Sequence, residues 1–108
     1  MSEPAAPLPV DWLPLLTELQ AAVAEQAARL QRQDLNGLAI AGRRVDELLR
    51  AAQGQPPVPE GRCRELLRQI QDQHGRICMQ LSLQKQETAA ELATMRRGKT
   101  ALRAYSGH

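Results

Sequence analysis

Between Gln53 and Glu60 the chain carries Gly54, Pro56, Pro57 and Pro59, a run that no helix can cross, because proline lacks the backbone donor and its ring collides with the preceding turn. On either side lies a long arm in which the only proline, Pro14, falls in a first helical turn, where its missing N–H costs nothing. Ala, Leu, Gln, Glu and Arg dominate both arms, and these side chains lose little rotamer freedom in a helix. Trp12 and Tyr105 are the only aromatic residues and there is no phenylalanine, so a thick globular core is not expected; no alternating run of β-branched residues suggests a strand. The fold class is therefore all-α. The expected form is a long antiparallel helical hairpin or coiled-coil bundle, with a first arm over about residues 12–52, a proline-rich turn at 53–60 and a second arm over about 60–103. Each arm would span roughly 60 Å at 1.5 Å per residue. Residues 1–10, with Pro4, Pro7 and Pro9, read as a flexible leader to a single helical domain at 11–108.

The apolar positions support this reading. In the first arm Leu16, Leu19, Val23, Ala27, Leu30, Leu38, Ala41, Val45, Leu48 and Ala52 fall on one stripe of helical period. Asp34, Asn36 and Gly37 weaken the helix there, and Asp34 would cap a new helix starting at Leu35. Because the stripe keeps its phase through them, a continuous or gently kinked arm is expected, with a break near 34–37 as the alternative. Asp11 is the expected N-cap of the arm. In the second arm Cys63, Leu67, Ile70, His74, Ile77 and Leu81 alternate at three and four residues, as the inward positions of a coiled coil do. The same seam then passes through Gln84, Thr88, Glu91, Met95, Gly98, Leu102 and Tyr105, about half of them poor core residues. Folding about Pro57 would set Val45 beside Leu67, Leu38 beside His74, Leu30 beside Leu81 and Leu16 beside Met95, leaving the open end of the hairpin short of core. One stripe per arm scarcely offsets the entropy of ordering the chain, so a second copy or a partner helix is expected to complete it.

The charge of +2 is too small to indicate a polyanion partner, and the cations Arg96, Arg97, Lys99 and Arg103 suit the C-terminal end of a helix dipole. With no aromatic platform among them, nucleic acid is not expected. Glu3 and the lack of an apolar run near the N-terminus argue against a signal peptide, and no segment approaches the roughly 20 apolar residues that span a bilayer, so a cytoplasmic location without membrane insertion is expected. Cys63 and Cys78 would lie about 22 Å apart on one helix and cannot bridge. Gly98-Lys99-Thr100 resembles the end of a phosphate-binding loop, but Ala93 stands where the first glycine should and no strand precedes it. His74 and Cys78 share a helical face as metal ligands do, yet no third ligand has suitable spacing; a hydrogen bond from His74 to Asp34 across the hairpin is the better reading. No nucleophile is paired with a base, so neither an enzyme nor a cofactor or metal site is expected.

Three stretches bear on family. They are Leu15-Leu16-Thr17-Glu18-Leu19; Gln33 to Leu38 leading into Arg43-Arg44-Val45-Asp46-Glu47-Leu48-Leu49; and Arg96 to Tyr105. Together they resemble the small chaperones of flagellar type III export, of the FlgN and FliT kind, with FlgN favoured. The resemblance implies a non-enzymatic chaperone that binds the helical C-terminal segment of a hook-associated or cap subunit before export, keeps it from assembling early, and contacts the export machinery. It also implies that the C-terminal helix recognises the client. The residues expected to do so are Leu83, Leu92, Met95, Arg96, Leu102 and Tyr105, a mixture of adaptable apolar contact with arginine and tyrosine anchors. The alternative is a structural subunit whose hairpins pair as a homodimer into a four-helix bundle without a client.

Overall fold

The computed structural model describes residues 11–84 and 89–106. They form four helices and no strand: α1 Trp12–Gln31, α2 Leu35–Ala51, α3 Arg62–Leu83 and α4 Ala89–Tyr105. The all-α reading holds, but each expected arm is two helices. The leader expected at 1–10 lies outside the described residues.

The first arm breaks at Arg32 to Asp34. Gln33 has φ 58°, a left-handed conformation that turns the chain back on itself. Asp34 then caps α2, its Oδ1 accepting from the Gly37 amide at 2.9 Å, while its Oδ2 accepts from Arg29 Nη1 at 3.2 Å. Gly37 is needed here: a Cβ at this position would run into the Asp34 carboxylate and the Arg29 side chain. The unbroken phase of the stripe was a poor guide to continuity, since two helices that face one core must both present their apolar sides to it. Leu16, Leu19, Val23 and Leu30 of α1 are buried, and so are Leu38, Ala41, Val45 and Leu48 of α2.

The second arm also divides. Its helix ends at Leu83, and Gln84 is already extended at ψ 120°. Of the polar seam positions, Gln84 follows the end of α3, Glu91 falls in the first turn of α4, and Thr88 lies outside the described residues. A helix gains nothing from continuing where its inward positions have no apolar group to bury. Of the expected N-caps, Asp11 holds the position but its side chain makes no capping bond.

The two halves assemble so that α1 packs on α2 and α3, and α4 packs on α3 and α2; α1 and α4, like α2 and α3, are diagonal. The expected pairs of Val45 with Leu67 and Leu38 with His74 are thus replaced, because α2 and α3 are not neighbours. The 60 Å hairpin has doubled over, burying each stripe against two neighbours instead of one. Residues 52–61 must cross the end of the bundle diagonally to reach α3. Within Pro56-Pro57-Val58-Pro59 only Val58 has an N–H, which donates to the Tyr105 carbonyl at 3.1 Å, while its side chain is 1% exposed in the core. Arg64 fastens the crossing, with Nη2 donating to Val58 O at 2.8 Å and Nη1 to Ser106 O at 2.9 Å.

Replacing Asp34 by alanine removes the cap at the first reversal and should cost about 1 kcal/mol. A thermal melt should show the midpoint lowered by about 4–8 °C, with Asp34→Asn retaining most of the stability. Equal midpoints for wild type and Asp34→Ala would mean that the reversal is held by packing alone.

Candidate functional site

The residues expected to receive a partner are spread over the bundle rather than gathered on one face. Leu83 closes α3 at the end where both hairpins reverse, 77% exposed, and Met79 one turn earlier is 66% exposed. Arg96 also faces solvent, while Leu92 and Tyr105 are half-buried against the core. Met95 and Leu102 are core residues, 3% and 1% exposed. Tyr105 lies at the opposite end from Leu83, its ring 5.5 Å from that of Trp12 and its hydroxyl donating to the Leu49 carbonyl at 3.2 Å. Burial raises the phenol above its ordinary pKa, so it remains a donor at neutral pH. The inward face of α4 is occupied by the chain's own side chains.

Two of those contacts involve buried polar groups, His74 from the expected seam and Gln26 from a position that the stripe of the first arm does not include. Gln26 is buried at 1% exposure on α1, and its Nε2 donates to Met95 Sδ at 3.4 Å; its Oε1 has no protein partner. His74, equally buried on α3, faces α4 where Gly98 has no side chain. A Cβ on Gly98 would lie 3.1 Å from His74 Nε2. Gly98-Lys99-Thr100 is accordingly helical backbone against which an imidazole packs. The expected bond from His74 to Asp34 is absent: Asp34 is engaged within its own turn, and His74 Nδ1 lies 3.7 Å from Cys78 Sγ. No group of three metal-ligating side chains is found among the described residues. Burial is the larger cause, and the Lys99 ammonium the smaller, that lowers the His74 pKa; burial likewise raises the Cys78 thiol against the opposing pull of Lys99 and Arg96. Both groups are therefore neutral packing elements at neutral pH. Cys63 and Cys78 are free thiols.

Two grooves mark the outside. Between α1 and α2 a cleft of about 460 Å³ is walled by Ala22, Ala41 and Ile40, the last 63% exposed, with Arg29 and Arg44 at its rim. Between α3 and α4 a larger one, about 650 Å³, carries Arg64, Arg68, Lys99 and Arg103. Neither was anticipated. The signal available for the second was the i, i+4 spacing of Arg64 with Arg68 and of Lys99 with Arg103, but only the antiparallel pairing of α3 and α4 brings the two pairs together. Among the described residues no helix is long and apolar enough to cross a membrane.

The depressed His74 pKa sets a direction for stability with pH. An unfolded chain takes up this proton near pH 6.5, and the folded one only at lower pH. The contribution of His74 is therefore whole above about pH 6.5 and is lost as the pH falls below that value toward the folded pKa. His74 meets Cys78 on its own helix and Lys99 and Gly98 on α4, with no carboxylate among the causes of its shift. Between about pH 7.5 and about pH 5.5 the melting temperature of wild type should fall further than that of His74→Gln. Equal falls would show that His74 takes up its proton in the folded state as readily as in the unfolded one.

No curated protein and no solved structure matches the chain. A family model does, described as the flagellar protein FliT, over residues 13–107. This is one of the two kinds of export chaperone that the sequence resembles, and the match gives no support to the leaning toward FlgN. Running from the first turn of α1 past the end of α4, it places the chain in the FliT family of flagellar proteins.

Proposed function

We propose that this protein is a cytoplasmic export chaperone that binds a helical segment of a flagellar hook-associated or cap subunit and prevents its premature assembly. The observation that carries the reading is the family match, which extends over all four helices of a family of flagellar export chaperones.

The client helix would lie along the α3/α4 side of the bundle at the end where the hairpins reverse. Leu83 and Arg96 are exposed there or nearby and are reached directly, with half-buried Leu92 at the edge. Tyr105 could anchor the far end of a long segment. Met95 and Leu102 would contribute by holding α4 in place, since a client could touch them only by displacing α4 from the core. An apolar stripe on the client, laid over Leu83 and Met79, would be withdrawn from water, and that burial is worth about 25 cal/mol per Å² before the costs of association. Contact with the export machinery would use a separate surface. The alternative of two hairpins pairing into a four-helix bundle loses its motive, because one chain already supplies four helices to one core.

Deleting residues 92–108 would strip Met95 and Leu102 from the core, so surface substitutions give the cleaner test. Binding of the C-terminal helical segments of hook-associated and cap subunits, measured by calorimetry, should weaken at least about tenfold in Leu83→Glu/Arg96→Glu, equivalent to about 1.4 kcal/mol. Circular dichroism should remain that of wild type. Full affinity in this variant would move the site away from α3 and α4, and no binding to any such segment by the wild-type protein would overturn the assignment of the client.

A further inference from the structure

The α3/α4 groove follows α3 from Gly61 to His74, about 20 Å of helix at 1.5 Å per residue. Its charge is one-sided. Arg64 and Arg68 come from α3 and Lys99 and Arg103 from α4, against Glu60 and Glu65, a net of two positive charges. Glu65 is already engaged with Arg68, its Oε2 accepting at 3.3 Å, and Arg64 is committed through Nη1 and Nη2 to two carbonyls. Lys99 and Arg103 stand one turn apart on the opposite wall, exposed, and form no ion pair among the described residues. The bundle itself does not need them: the inward positions of α4 are Met95, Gly98 and Leu102.

A second feature at the same place also favours negative charge. The residue that precedes α3, Gly61, has a φ of 100°, a glycine conformation, and offers no side chain to cap the first turn. The free amides and the positive end of the helix dipole thus open into the Glu60 end of the groove. Arg64 Nε, buried beside them, also lacks a partner.

We infer that the α3/α4 groove is a docking site for an acidic peptide segment. A small anion fits less well, since the cations come as two pairs on facing helices, each pair about 6 Å apart along its helix, instead of converging on one point. Nucleic acid fits less well too, because no Trp, Tyr or Phe lines the groove and the one ring that does, the His74 imidazole, is only 1% exposed and offers no face for a base to stack on. A helical segment with glutamates at i, i+4, i+7 and i+11 would present one carboxylate per turn along the length of the groove, facing Lys99, Arg103 and the uncapped start of α3. This site does not depend on the identity of the flagellar client, which could dock over Leu83 whether or not the groove is filled.

The test uses the whole protein and a fluorescein-labelled 14-residue helical peptide with glutamate at those four positions and alanine or leucine elsewhere. A second peptide carries glutamine at the four positions, and an oligothymidylate of equal charge serves as the nucleic-acid arm. By fluorescence anisotropy at low salt the glutamate peptide should bind at least about tenfold more tightly than the glutamine peptide, the advantage shrinking as salt screens the charges. The exposed-site variant Lys99→Gln/Arg103→Gln should lose that advantage while keeping its helicity and melting temperature. Equal binding of the two peptides, unchanged affinity in the variant, or tighter binding of the oligothymidylate would each overturn the proposal.

Discussion

The arrangement of all four helices depends on how the chain crosses the end of the bundle between α2 and α3. A short connection would have made these helices antiparallel neighbours; the ten residues at 52–61 instead carry the chain over to the diagonal position. Such a crossing exposes backbone polar groups over an apolar core, and three prolines reduce the number of donors to be satisfied. Within 56–59 the one that remains, on Val58, is paired with Tyr105, and the Val58 carbonyl is paired with Arg64. The same guanidinium reaches Ser106, so one side chain at the start of α3 holds both the crossing and the end of α4. Hydrogen bonds of this charge-assisted kind contribute about 1.5–3 kcal/mol each when partly shielded from water. Gln71, two turns further along α3, donates to the Leu102 carbonyl at 3.1 Å and provides for another of the terminal carbonyls of α4.

Most of the core was legible from spacing alone. Leu16, Leu19, Val23, Leu30, Leu38, Ala41, Val45 and Leu48 on one arm, and Leu67, Ile70, His74, Ile77 and Leu81 on the other, are buried as their periodicity required. The direction of the chain was not legible from the same signal, because a stripe records which side faces the core and says nothing about which way the helix runs. Residues 34–37 contained the information in their capping chemistry, where Asp34 and Gly37 outweighed the continuity of the stripe. At Gln84 the sequence offered only an absence, a seam with nothing to bury, and an absence reads equally well as a vacancy or as an end. Once the halves fold back, the expected shortage of core disappears: Met95 and Leu102 find partners inside the chain, and Tyr105 reaches Trp12.

The candidate sites were less legible for a related reason. Leu83 projects into solvent because it lies beyond the last inward position of α3, whereas Leu49, also off the main seam, is buried by α4. Which flanking leucines are covered depends on which helices become neighbours. The same holds for Arg64, Arg68, Lys99 and Arg103: each pair is visible on its own helix, and their convergence requires α3 and α4 to run antiparallel side by side. Inside the bundle, Gln26 against Met95 and His74 against Gly98 show a different use of polarity. A buried amide or imidazole has few acceptable positions, so each favours one register of its helix over a sliding alternative.

The two short reversals have a consequence for the order of assembly. Each half of the sequence is a pair of antiparallel helices, α1 with α2 and α3 with α4, whose contacts close over only a few intervening residues. Loop closure of this length costs little entropy, so either pair can form before the other is in place. The contacts of α1 with α3 and of α2 with α4 come later, since they join parts of the chain separated by a whole helix or more. The proline crossing is then the hinge about which two preformed halves meet, and the Arg64 bridge closes only after α4 has arrived.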